Sequence, residues 1–194
     1  MKYIIALLLI CSVVMYAGDM KSLNIGDQAP AFTLKNYDSK EFDLKKLLKE
    51  NKYTVLMFIS TECPVSNGYN ERMVKLNETY GKKAVAFLGI NANKEEDVKR
   101  IAEHSKDKGF KFPVLKDEQN KIADLYAAQV TPEIFVINQE GKLAYHGRID
   151  DNRNLAKVQS QDLALSLDAL LSGKPVAQTE TKAFGCSIKR IVAD

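Results

Sequence analysis

The chain has 194 residues, 45% hydrophobic and 27% charged, with a formal net charge of +3. That length carries one domain with a full core and is short for two, and the composition excludes disordered and collagen-like chains. Lysines and arginines are interspersed with acids instead of forming one basic block, so nothing points to nucleic acid as a partner.

Lys2 precedes an apolar run from Tyr3 to Ala17, after which small residues Ala17 and Gly18 lead into polar chain. This reads as a secretory signal over residues 1–18, followed by a protein with no stable membrane insertion once the signal is cleaved. The run is shorter than the roughly 20 residues that span a bilayer, and an uncleaved anchor is the alternative. Cys11 falls inside the run and is taken as a hydrophobe of the discarded segment. Cys63 and Cys186 remain, in a chain sent to a periplasmic or other extracytoplasmic compartment where paired thiols are usual.

Along the mature chain, Ile25 to Leu34 reads as loop and short strand, and Asp38-Ser39-Lys40 as a turn, together an N-terminal hairpin or edge extension. The Lys-rich stretch from Asp43 to Lys52 is the solvated side of a helix. Thr54 to Ser60 is a nearly unbroken apolar run of strand length, which predicts a strand buried on both faces in the middle of a sheet. From Pro64 the spacing of Tyr69, Met73, Leu76 and Tyr80 predicts a helix, with Gly81 as its stop. Cys63 therefore falls where a central strand turns into a helix. Ala84 to Ile90 predicts the next strand, and Asn93 with Glu96 is a capping pattern for a helix carrying Val98, Ile101 and Ala102. A short helix with Ile122, Leu125 and Tyr126 leads to Thr131-Pro132 and the strand Glu133 to Ile137, which a Glu140-Gly141 turn joins to Leu143-Ala144-Tyr145. Leu163, Leu167, Leu170 and Leu171 mark a last helix ending at Gly173. The order is α/β with a central mixed sheet flanked by helices, and residues 174–194 form a C-terminal tail of weak periodicity that carries Cys186.

Three blocks in this order, Gly26 to Leu34, Phe58 to Ser66 and Val130-Thr131-Pro132, resemble the thioredoxin-like superfamily in its redoxin, or peroxiredoxin-like (AhpC/TSA-type), branch. The stretch Tyr145 to Asp151 with Gly185-Cys186-Ser187-Ile188 is similar to an exported subgroup of it. The resemblance spans roughly Ile25 to Ser172 and implies a thioredoxin-like redoxin domain over residues 19–173. It also implies that Pro132 is cis, beside the active cysteine, leaving the Thr131 backbone free to pair with an extended thiol substrate. Ser66 stands where thioredoxins carry the second cysteine of Cys-x-x-Cys. Of the three residues that mark peroxiredoxins, only the hydroxyl three positions before the cysteine, Ser60, is present.

Only a thiolate attacks disulfide sulfur or peroxide oxygen efficiently, and a cysteine at a helix start has its anion stabilised by unpaired backbone N–H groups. Cys63 is accordingly the expected nucleophile, with Ser60 and Ser66 as hydroxyl donors to its sulfur and Pro64 suited to a first helical turn that does not use its missing N–H. Cys186 is the expected resolving thiol, provided that the tail brings the two Cα atoms within roughly 7 Å. Of the histidines, His104 is read as solvated surface, and His146 as nearer the site; Arg148, Asp150 and Asp151 are read as fixing the turn after the last strand. The expected activity is an extracytoplasmic thiol-disulfide oxidoreductase acting on protein or small-molecule thiols and disulfides, with an external thiol as electron donor and no cofactor or metal. The alternatives are a thiol peroxidase taking peroxide substrates, a copper carrier built on Cys63, Cys186 and His146, and a non-catalytic thioredoxin-fold binding protein.

Overall fold

The computed structural model describes residues 22–191, so the segment read as a secretory signal, with Cys11, lies outside the described residues. Strands β1 (Thr33–Lys35) and β2 (Glu41–Asp43) pair antiparallel as the expected N-terminal hairpin. Asp43 then caps α1 (Leu44–Glu50) by accepting from the Lys46 N–H at 2.9 Å, and this helix buries Leu44 and Leu48 while its lysines face solvent. A side-chain oxygen at that position satisfies a donor with no partner inside the helix.

The main sheet has the order β5-β4-β3-β7-β8, formed by β3 (Tyr53–Phe58), β4 (Val85–Asn91), β5 (Val114–Lys116), β7 (Glu133–Asn138) and β8 (Leu143–Gly147). β3 runs parallel to β4 and antiparallel to β7, which makes it the middle strand of a mixed sheet. Its residues alternate between two cores because successive side chains of a strand point to opposite faces. Val55 and Met57 join Tyr69, Met73, Ile101, Leu163 and Leu167 on one side. Leu56 and Phe58 join Phe32, Leu44, Ile122, Tyr126 and Ile188 on the other. Two covered faces explain why this segment reads as an unbroken apolar run.

The helical run after Cys63 is split in two, α2 (Pro64–Asn67) and α3 (Asn70–Tyr80), with Gly68 and Tyr69 between them. A Cβ on Gly68 would lie 2.9 Å from the Arg153 side chain, so the break sits where another segment crosses closely. α3 ends at Tyr80 with Gly81 as its C-cap, as expected, although Gly81 keeps a right-handed backbone (φ −57°). The chain continues as one 3₁₀ turn through Lys83, and Ala84 adopts the left-handed conformation instead (φ 60°). The capping pattern of Asn93 and Glu96 is corrected: α4 (Val98–Asp107) starts later, with Asp97 accepting from the Arg100 N–H at 2.8 Å.

Beyond β5, α5 (Lys121–Leu125) leads to the two-residue strand β6 (Val130–Thr131), and α6 (Asp162–Leu171) closes the helical layer. The tail then returns across the domain as an ordered, extended segment. The His146 N–H donates to the Thr179 carbonyl and the Thr181 N–H to the His146 carbonyl, both at 3.0 Å, beside β8. Farther on, β9 (Cys186–Ser187) pairs antiparallel with β6, Thr131 facing Cys186 and Val130 facing Ser187. Among the described residues no helix is long and apolar enough to cross a membrane.

Candidate active site

Cys63 follows the central strand and is the N-cap of α2, with Pro64 in the first turn. Its sulfur accepts from the Ser66 N–H at 3.3 Å and lies 3.3 Å from the Thr131 carbonyl oxygen. The Thr131-Pro132 bond is cis, as the resemblance implied. Cys63 is bonded to Cys186 as a disulfide between Cα atoms 5.9 Å apart, across 123 residues of sequence. Cys63 itself is 4% exposed.

The two serines are close to Cys63 but reach it differently from what their hydroxyls suggested. Ser66 contacts the sulfur through its backbone N–H, while its Oγ accepts from the Ser60 N–H at 3.2 Å. The Ser60 Oγ accepts from the backbone N–H groups of Glu62 at 3.1 Å and Cys63 at 2.9 Å. Both hydroxyls thereby hold the turn that carries the sulfur. Helix starts leave N–H donors without intrahelical partners, and here a hydroxyl and a sulfur satisfy them.

Glu96 is the residue that the sequence reading misassigned. Its carboxylate is buried behind the turn and accepts from the Ser60 Oγ at 2.5 Å, the Thr61 N–H at 2.6 Å, the Thr61 Oγ1 at 2.7 Å and the Asn91 Nδ2 at 2.7 Å. A buried carboxylate is tolerated only when its oxygens are satisfied, and four donors do so here. Its sequence signal was indistinguishable from a helix cap, since an acid three residues after Asn93 fits that pattern equally well.

The histidines divide differently from expectation. His104 is not a solvated surface group: it is half-buried, its ring packs edge-on against Phe110, and its Nε2 is 2.7 Å from the Asn67 Oδ1 on α2. Burial, with the nearby Lys108 charge, holds its imidazole below the ordinary value of 6.5. The His146 ring stacks on Phe135 and its Nε2 is 2.7 Å from the Glu133 Oε1. The other carboxylate oxygen of Glu133 accepts from the Gln129 and Val130 N–H groups at 2.7 and 3.1 Å, which ties His146 to the loop before Pro132. Among the described residues, no group of three or more His, Cys, Asp or Glu side chains gathers as a metal site.

The turn after β8 is braced by the residues expected there. Arg148 pairs with Asp162 at 2.6 Å, Asp150 with Arg72 and with the Tyr69 hydroxyl at 2.9 Å, and Asp151 accepts from the Gln159 N–H at 2.9 Å. The Arg72 guanidinium also lies 3.8 Å from the centre of the Tyr69 ring, joining this brace to the first residue before α3.

A sulfur at the start of a helix after the central strand, facing a cis-proline loop, defines a thiol-dependent oxidoreductase of thioredoxin-like fold. The AhpC/TSA family model matches residues 25–146, and the chain belongs to that family. A thiol-disulfide oxidoreductase ResA of Bacillus cereus is 30% identical over 146 residues, 72% of this chain and 82% of that protein. A crystal structure of a protein from Sinorhizobium meliloti 1021, described as hypothetical, superposes with a TM-score of 0.83 at 32% identity, over 89% of this chain and 98% of the other. A conserved protein from Geobacillus kaustophilus gives the same TM-score and identity, over 89% and 95% of the two chains.

Proposed function

We propose that this protein is an extracytoplasmic thiol-disulfide oxidoreductase in which Cys63 attacks, Cys186 resolves, and the Thr131-Pro132 loop lines the reacting sulfurs. The observation that carries this reading is the bond between Cys63 and Cys186 at the Thr131 backbone. It supplies, within one chain, the second thiol that Ser66 does not. In the reduced protein the Cys63 thiolate attacks one sulfur of a disulfide RSSR and expels RS⁻; Cys186 then attacks the Cys63 sulfur of the mixed disulfide and expels the second RS⁻. Two electrons pass to the substrate and the internal disulfide re-forms. An external thiol donor returns the protein to the dithiol state. The apolar run after Lys2 supports export, and the named relatives of this size are thiol-disulfide oxidoreductases.

Alkylating the full mature chain before and after reduction, followed by peptide mapping, tests the pairing. The expected result is a Cys63–Cys186 linked peptide within one chain before reduction and two alkylated thiols after it. Free thiols throughout, or a link between chains, would remove the resolving role of Cys186. A rapid one-to-one loss of the reduced pair with hydrogen peroxide, and none with disulfides, would favour the peroxidase instead.

A further inference from the structure

In a thioredoxin-like site the backbone beside the cis-proline offers hydrogen bonds to an extended chain, as strand addition to an open edge requires. Here that edge is filled by the protein itself. β9 lies on β6 with Cys186 opposite Thr131, and the Ile188 N–H donates to the Gln129 carbonyl at 2.9 Å. Gly185 fits the edge so closely that a Cβ on it would overlap the Thr131 carbonyl oxygen.

The segment is held on both sides of Cys186 by contacts that do not involve the disulfide. Before it, Thr181 is bound to His146 through the backbone, and its Oγ1 lies 2.8 Å from the Tyr145 hydroxyl; the Phe184 ring meets that of Tyr69 edge-on. After it, Ile188 is buried in the core against which α1 and α5 pack. The Lys189 N–H donates to the Asn93 Oδ1 at 2.9 Å, Arg190 pairs with Asp124 at 2.7 Å, and the Ile191 N–H donates to the Asn120 Oδ1 at 2.7 Å. None of these contacts is made through the Cys63–Cys186 bond.

A route to the sulfurs remains beside the strand. A cavity of about 240 Å³ is lined by Ser60, Cys63, Asn93, Glu96, Cys186 and Lys189, among others. The volume falls just below the roughly 300–1,000 Å³ typical of small-molecule pockets.

We infer that the substrates of this site are low-molecular-weight disulfides admitted through this cavity, and that extended polypeptides are excluded because the tail keeps the Thr131 edge in both redox states. The inference rests on the thiol-disulfide reading above. The two exchange steps written there apply unchanged, with RSSR a small disulfide and both released RS⁻ groups leaving as small thiols after protonation.

The test compares turnover of cystine and of insulin disulfides by the reduced full chain and by Gly185→Ala. The wild type is expected to turn over cystine at least about a hundredfold faster than insulin, and Gly185→Ala, whose added methyl pushes β9 off the edge, to narrow that ratio by about tenfold or more. Hydrogen exchange of residues 186–190 is expected to stay within about tenfold between oxidised and reduced wild type. Comparable turnover of both substrates, or exchange across 186–190 that rises to that of free chain on reduction, overturns the proposal while leaving the oxidoreductase standing. Inertness of the reduced wild type towards both disulfides would instead sink the oxidoreductase reading itself, and this proposal with it.

Discussion

Glu96 shows how a buried side chain behind the turn can determine where the sulfur sits. Its carboxylate gathers the Ser60 hydroxyl, the Thr61 N–H and hydroxyl, and the Asn91 amide, and Ser60 in turn accepts from the Cys63 N–H. Glu96→Ala would leave several of these donors buried without an acceptor. It is expected to destabilise the protein by about 2–4 kcal/mol, given roughly 1–3 kcal/mol for each group left unsatisfied and some relief by water. Urea denaturation of the oxidised protein measures this, and Glu96→Gln, which keeps one acceptor oxygen, should lose less. His104 makes a pH prediction. Because burial lowers its folded pKa, the unfolded chain takes up this proton first as pH falls. The stability that His104 contributes is complete above its unfolded value near 6.5 and is lost as pH drops from there through the folded value. His104→Gln should therefore show a shallower fall in urea midpoint between about pH 7.5 and 5.5 than the wild type. Neither residue was legible in the sequence. Both sit in polar, charge-rich stretches whose local pattern is that of a surface helix, and only the packing of Phe110 and the approach of Asn67 and Ser60 show otherwise.

At the scale of elements, the central sheet was legible because a strand covered on both faces must be apolar at nearly every position, and β3, β4 and β7 are. The exception inside β4 is informative. A Cβ on Gly89 would lie 2.8 Å from the Ile59 Cδ1 and 3.1 Å from the Val114 Cγ2. Gly89→Ala should thus cost about 1–3 kcal/mol through overpacking, read as a lower thermal or urea midpoint, and should displace Ile59 at the base of the Cys63 turn. The tail was not legible in the same way. β9 has two residues and no periodicity, and its partner at Thr131, like the His146 bridged by Glu180 earlier in the tail, is distant in sequence, so local pattern carries no trace of the pairing. The capping error at Asn93 has a similar origin: its Oδ1 is used, but by the Lys189 N–H of the returning tail instead of by its own helix.

For the molecule as a whole, the disulfide closes a loop of 123 residues, which in the chain-entropy account is worth about 5 kcal/mol of stability. Reduction should lower the urea midpoint accordingly without loss of the folded state, since both cores and the tail anchors are independent of it. Unfolding of the reduced chain in buffer alone would show that the tail is held chiefly by the bond. Exchange between the thiol and disulfide states is thus expected to leave the scaffold's shape nearly unaltered, and the decisive question is which sulfur begins it. Incubating reduced Cys186→Ser and Cys63→Ser with a small aromatic disulfide, and locating the mixed disulfide by mass spectrometry, answers it most directly. Cys186→Ser should trap one equivalent on Cys63 rapidly, and Cys63→Ser should react far more slowly; faster labelling of Cys186, or no adduct on Cys63, would contradict the assignment of Cys63 as the attacking thiol.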